Sequence, residues 1–446
     1  MGRPSTAAPW RNWARTATAR PQRVEMPRDQ RELADVVLSA ARDGLHVRAV
    51  GGGHSFTPAA VTDGVQVSLD AMSAVERVAP QPDGTTHVTV GAGIRLAALN
   101  AALAERGLAM RNLGDIDKQS IAGAVSTGTH GTGARLGGLA TQVVGARLVT
   151  ASGEVREVSA TQEPEVFELA RLGLGTVGVL AAVTLEVLPA FRLEAREEPW
   201  PLDDVLDALD GPDGLVESND HFEFYWFPHT RRALTKRNNR IADEVDVPLP
   251  RMRAWVDDEL LSNALFQVVN EVATLVPRTT RGLNAISARA LSSRRYTAPS
   301  ADVFISPRRV RFREMEYAVP RDALRSVLAE VDRWIESSGQ HIPFPVEVRF
   351  AAADDLWLST AHGRDTAYVA VHQYRRLPFR PYFEAVERIM ASVDGRPHWG
   401  KMHWLDADRF LKLYPRFADA QRVRAQADPE GRFANPYTDR VFGSLL

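Results

Sequence analysis

The stretch Val47-Arg-Ala-Val-Gly-Gly-Gly-His-Ser-Phe-Thr-Pro58 decides how this chain is read. An apolar, β-prone run from His46 to Val50 empties into Gly51, Gly52 and Gly53, followed by His54, Ser55 and Phe56. Glycine reaches positive φ without steric cost and lets the backbone approach another molecule closely. Successive free N–H groups in such a turn form a concavity suited to phosphate oxygens. A histidine held just past the turn would face whatever the phosphates belong to. The bland alternative is a loop that merely leaves a strand, so the rest of the chain has to decide.

Length and composition narrow the choices. The 446 residues are enough for two or three domains, and 44% hydrophobic with 25% charged residues is an ordinary globular balance. Lys+Arg (54) and Asp+Glu (56) nearly cancel, which argues against a nucleic-acid partner. No window approaches the roughly 20 apolar residues of a membrane span. The absence of cysteine removes disulfides, thiolate nucleophiles, iron–sulfur clusters and Cys-ligated zinc. No metal site is expected, and an organic cofactor is the natural carrier of any chemistry. The first 24 residues lack an acid, as a transit peptide would, but Trp10 and Trp13 suit structured chain better. With no apolar signal core, a cytoplasmic location is expected.

Outward from the glycines, helices are expected at 29–43 and 95–106, and strands at 65–69 and 86–90. Strands at 143–149, 154–158 and 177–188 enclose a helix at 163–172, and Pro189 marks a boundary. Beyond it come an aromatic strand (221–227), further strands (311–319, 346–350, 368–374) and helices at 322–338 and 381–393. The segment 253–275 reads as a helix whose stripe, Leu260, Leu261, Leu265, Val268, Val272 and Leu275, packs on its own domain. A short helix (406–414), a turn at Asp428-Pro-Glu-Gly431 and an extended tail close the chain.

Four motifs bear on chemistry. Gly173-Leu-Gly-Thr-Val-Gly178 has the letters of a dinucleotide fingerprint, but a helix precedes it and a strand follows, the reverse of the required order. The segment Asn112 to Gly133 is dominated by small and hydroxyl residues from Gly123 onward, as for backbone laid flat along a large ligand. With the triple glycine, it suggests a long phosphate-bearing cofactor gripped at two places. In Val346-Glu-Val-Arg-Phe350, alternation puts Glu347 and Arg349 on one strand face and the apolar residues on the other. Such a pair either orients polyol hydroxyls in a cavity or forms a surface ion pair. Arg396-Pro-His-Trp-Gly-Lys-Met-His403 offers two histidines and Lys401, without a carboxylate at zinc-ligand spacing.

Together these motifs resemble the aldonolactone oxidase family, the sugar-lactone and alditol branch of flavoenzymes with the vanillyl-alcohol oxidase fold. The resemblance runs from Trp10-Arg-Asn-Trp13 through Val50–Phe56, Gly128-Thr-His-Gly131 and Pro345–Phe350 to Gly395–His403 and Asp428–Phe433. It implies an α+β architecture of mixed sheets with flanking helices. An FAD-binding domain (1–190, completed by 405–446) would carry a substrate cap domain (191–404). FAD would be held by Val50, Gly51, Gly52, Gly53, His54, Ser55 and Phe56, with Gly114, Asp115, Ser120, Gly123, Thr127, Gly128, Thr129, His130, Val179 and His403. His54 stands where the family commonly bonds covalently to the flavin. Glu347, Arg349, Lys401 and His372 are the implied catalytic residues. The implied reaction is hydride transfer from a carbinol carbon of a sugar lactone to flavin, with dioxygen reduced to hydrogen peroxide. Gly114 matches the small residue that the family's oxidases place beside the ring, where a dehydrogenase relative has alanine. His372 resembles the alditol branch, whereas Tyr374-Arg375 and Lys401-Met-His403 resemble the lactone branch. Lactones are therefore favoured, with xylitol- or sorbitol-like alditols as the alternative substrates.

Overall fold

The computed structural model describes residues 8–242, 247, 266–306 and 310–445. The triple-glycine loop leaves a small parallel sheet with strand order Arg23–Glu25, Val65–Ser68, Val47–Val50. The helix Gln30–Arg42 crosses over between two of these strands. Its N-cap Asp29 accepts hydrogen bonds from the backbone N–H groups of Arg31 and Glu32, and its inner face buries Leu33, Val37 and Ala40.

An antiparallel sheet lies alongside, ordered Val155–Ser159, Val143–Val149, Val179–Pro189, Thr86–Gly91, Val75–Pro80. Its long strand Val179–Pro189 is buried along most of its length, as its β-branched composition requires. The helix Pro164–Arg171 precedes it, so the order around Gly173–Gly178 is helix then strand, as expected.

A separate eight-stranded antiparallel sheet forms the second half of the molecule. Its order is Arg294–Pro299, Arg192–Pro201, Arg232–Ile241, His221–Trp226, Val346–Ala351, Thr366–Tyr374, Phe312–Pro320, Arg396–Pro397. Helices Leu324–Ser337 and Arg380–Ala391 cover one face, burying Val327, Val331, Tyr382 and Phe383 against Val346, Val348 and Phe350. The other face is left for the site.

Three expectations need correction. The tail after the turn is not extended, since it forms the helix Pro436–Phe442, and a further helix, Phe417–Ala427, precedes the turn. Asn435 and Thr438 make a reciprocal capping box ahead of the last one. These helices stack Phe417 and Phe442 beneath Trp399 and Phe410, so they belong to the core around the first two sheets. The small-residue segment is not flat backbone throughout, because Ile121–Ser126 is a helix capped by the Ser120 hydroxyl at the Gly123 N–H. Finally, in the helix Phe266–Leu275 the residues Val268, Val272 and Leu275 point outward. The packing of Phe266 on Phe344 and the bond from the Tyr374 hydroxyl to Glu271 turn the other face inward. Leu260, Leu261 and Leu265 lie outside the described residues.

One buried side chain ties the chain end to the glycine loop. The Arg48 guanidinium donates to the carbonyls of Ala59, Leu174 and Phe433, joining three distant segments. Burial, helped by the nearby Arg424 charge, pushes its pKa down to about 10, so it stays charged at neutral pH. Replacing Arg48 by Met would take the guanidinium away from the buried Leu174 and Phe433 carbonyls, whereas Ala59 would keep the Asn435 amide as a donor. An Arg48→Met variant is expected to lose on the order of 3 kcal/mol of stability, read as a lower unfolding midpoint of the apoprotein.

Candidate active site

Two cavities meet at the glycine loop. The first, about 950 Å³ of empty space counting its open mouth, is walled by Val50, Gly51–Gly53, Ser120, Gly123, Thr127, Gly175, Gly178 and Val179. Closeness explains the glycines: a Cβ on Gly51 would lie 2.2 Å from the Ser120 hydroxyl, and one on Gly52 2.3 Å from the Lys118 carbonyl oxygen. Gly53 adds a positive φ of 66°. The second cavity, about 680 Å³ on the same measure, is walled by Phe56, Gly114, Asp115, Thr129, His130, Glu314, Glu316, Glu347, Arg349, His372, His398 and Lys401. His54, Ser55, Gln119 and Thr127 line both, so the two form one elongated space bent at His54. A dinucleotide with a flat ring system at one end suits that shape, the first cavity glycine-rich and the second ringed by charge.

His54 stands at the bend, stacked on Trp13 with ring centroids 5.6 Å apart. Burial first, then the positive charges of Lys401 and Arg95, pull its pKa down to about 4. It is therefore a neutral imidazole with a free lone pair at ordinary pH.

The second cavity is floored by a row of alternating charges that follows the strand order of the large sheet. Lys236 pairs with Glu223 at 2.8 Å, and Glu223 with Arg349 at 2.8 Å. Arg349 pairs with Glu347 at 2.5 Å and lies 3.8 Å from Asp115. His372 Nε2 is 4.0 Å from Glu347 and 3.5 Å from Glu314, and Glu314 meets Lys401 at 2.5 Å. Register produces this row: Lys236 is the cross-strand partner of Glu223, and His372 that of Glu314. The Tyr225 hydroxyl, donating toward both Glu223 and Glu347, bridges the row. Burial alone would raise the carboxyl pKa values, but Lys236 and Arg349 hold Glu223 at about 2, and Lys401 and His372 do the same for Glu314. Despite its burial, Arg349 is pushed further up by Glu347 and Glu223. Glu223, Glu314 and Arg349 are therefore ionised across the neutral range.

Beside the row, His130, Glu316 and His398 converge with their polar atoms within 4.8 Å of one another. Hydrogen bonding does not suit this trio to a metal ion. His398 Nδ1 accepts the Gly400 N–H, so its other nitrogen carries the hydrogen and has no lone pair to give. His130 Nδ1 donates to the Gly131 carbonyl, which turns Nε2 toward Glu316 at 3.3 Å.

Of the residues singled out from the sequence, two stand apart from both cavities. Gly128 lines a smaller pocket behind His130, and His403 is buried with its Nε2 against the Tyr437 hydroxyl at 2.9 Å. Glu347 and Arg349 are buried in the cavity and not a surface ion pair. Gly175 and Gly178 wall the first cavity although their motif is no Rossmann turn. Sequence reading missed Glu223, Lys236, Glu314 and Glu316, and gave His398 no role of its own. For Glu314 and Glu316 a signal was present: in Phe312-Arg-Glu-Met-Glu-Tyr-Ala-Val319 the faces alternate as they do in 346–350, with Met315, Tyr317 and Val319 in the core.

The chain matches the D-arabinono-1,4-lactone oxidase family over residues 183–441 and an FAD-binding domain family over 21–159. It is 42% identical over 434 residues to an L-gulono-1,4-lactone dehydrogenase of Mycobacterium tuberculosis, covering 97% of this chain and 99% of that protein. It is 34% identical over 440 residues to the L-gulonolactone oxidase of Bos taurus, covering 97% and 98%. Among solved structures, a solvent-stable cholesterol oxidase superposes with a TM-score of 0.81 over 98% of this chain and 97% of its own, at 19% identity. That likeness bears on the fold, which is the mixed α+β, FAD-binding type expected. With a family match across more than half its length and close relatives along nearly all of it, the chain belongs to the aldonolactone oxidase family.

Proposed function

We propose that the protein is an FAD-dependent oxidase of sugar-derived 1,4-lactones. The observation that carries this reading is the convergence of Glu347, Arg349 and Lys401 on one cavity that opens at His54 into a glycine-walled one. Residues 1–190 with the helices of 405–446 would form the FAD-binding unit. Residues 191–404 would form the cap that brings the charged row over the ring.

Bound FAD would accept a hydride from the carbinol carbon of the substrate. The protein's part is orientation and charge. The Glu347 carboxylate accepts a hydrogen bond from the substrate hydroxyl and so selects which carbinol hydrogen faces the ring. The hydroxyl proton leaves along that bond to the carboxylate or to water. Arg349 is gripped by Glu223 and Glu347, so it cannot swing away as negative charge develops. Lys401 lines the same cavity and offsets that charge, an effect worth several kcal/mol in a closed site. Oxidation next to the lactone carbonyl gives a 2-keto lactone, which enolises.

The neutral, half-buried His54 at the bend supports a covalent bond from its free lone pair to the cofactor. Acid-denatured wild-type protein is expected to keep its yellow colour on the polypeptide, and His54→Ala to release FAD or hold it noncovalently. Free FAD released from the wild type would refute the linkage while leaving the enzyme class standing.

Gly114 supports dioxygen as the electron acceptor, because it stands where the family's oxidases place a small residue. A double-mixing experiment tests acceptor and substrate together. L-gulono-1,4-lactone or D-arabinono-1,4-lactone should bleach the flavin much faster than xylitol or sorbitol, and air should then restore the colour within seconds. Preferential bleaching by the polyols would favour the alditol reading. Recovery over many minutes in air, with rapid recovery on adding a quinone or cytochrome, would make the protein a dehydrogenase.

A further inference from the structure

The large sheet brings Glu314 to Lys401 by backbone pairing, not by chance contact of two long side chains. The loop carrying Lys401 runs along strand Phe312–Pro320: the His398 N–H donates to the Glu316 carbonyl, and the Met402 N–H to the Glu314 carbonyl. Pro397 and Arg396 are cross-strand partners of Tyr317 and Ala318 in the same register. The ammonium of Lys401 is therefore delivered to the carboxylate of Glu314 at 2.5 Å, and its stem packs with the charge 5.3 Å from the Phe56 ring. Only 19% of the lysine side chain is exposed, and 7% of the glutamate's. The other Glu314 neighbour is His372, whose Nδ1 donates to the Pro345 carbonyl, so that Nε2 faces the carboxylate.

Building on the flavin reading above, we propose that Glu314 is a positioning residue that keeps Lys401 protonated inside the cavity and couples it through His372 to Glu347. Without this partner a lysine so buried sheds its proton readily, because burial disfavours the ammonium. The remaining groups facing Lys401 do not replace it. Glu316 is committed to His130, and Asp115 lies toward Arg349. The nearby imidazoles of His54 and His398 are both held neutral, with pKa values of about 4 and about 3. The sign follows directly. In the wild type, burial lowers the Lys401 pKa, but Glu314 and then Glu316 outweigh it and raise it, so the ammonium persists past its ordinary titration range. With Glu314 neutralised, burial prevails and the pKa falls.

The chain has four lysines, Lys118, Lys236, Lys401 and Lys412, so isotope-labelled lysine side chains in the holoenzyme give a spectrum simple enough to follow through a pH titration. The Lys401 signal is the one lost in Lys401→Arg. In wild-type protein it should stay in its ammonium position to pH 10 and above. In Glu314→Gln it should titrate with at least a ten-fold lower proton affinity, and the flavin reduction potential should fall more steeply with pH around the same midpoint. Glu314→Asp, which keeps the charge, should restore most of the affinity and serves if the glutamine variant does not fold. An unmoved Lys401 titration in Glu314→Gln, or an aspartate variant that behaves like the glutamine one, overturns the proposal. Neither result bears on whether FAD binds or lactones are oxidised, since the lysine signal reports only its own proton.

Discussion

Everything else in the site depends on the row of alternating charges crossing the open face of the large sheet. Lys236, Glu223, Arg349, Glu347, His372, Glu314 and Lys401 succeed one another strand by strand, each charge paired with one of opposite sign and His372 standing between Glu347 and Glu314. Placing this many charges in a buried cavity costs several kcal/mol of desolvation per ion, and the cost is tolerable only if every charge finds its partner. A row in cross-strand register meets that condition, because the sheet sets the spacing before any side chain is placed.

The row also explains why the site can be rigid. Arg349 is clasped on two sides, Lys401 is anchored through its own backbone, and Tyr225 bridges Glu223 and Glu347. Groups held this way need no reorganisation when charge moves during the reaction, which is where most electrostatic acceleration comes from. Opposite them the glycine loop does the reverse work. It removes side chains altogether, so that a large cofactor can lie against main-chain N–H groups, and it leaves His54 at the turn between the two halves.

The parts legible from sequence were those with a short-range signature. Alternation in 346–350 separated the buried valines from Glu347 and Arg349, and the triple glycine announced a close approach. The same alternation was present in 312–319, but there Arg313 falls on the face of the core residues and blurs the pattern. Glu223 and Lys236 could not be found this way, because their role exists only once the hairpin sets them opposite each other. The tail helices were missed because their stability comes from stacking on Trp399 and from the Asn435 box, not from a periodic apolar stripe. In 266–275 the stripe was real but the long-range contacts of Phe266 and Glu271 chose the other face.

The most direct test is a crystal structure of the FAD-loaded enzyme with a non-reacting lactone analogue. The account predicts the flavin ring in the second cavity, its dinucleotide part along Gly51–Gly53, and the analogue's hydroxyl in hydrogen-bonding distance of Glu347 and Arg349. A ring seated elsewhere, or an analogue bound without contact to either residue, would contradict it.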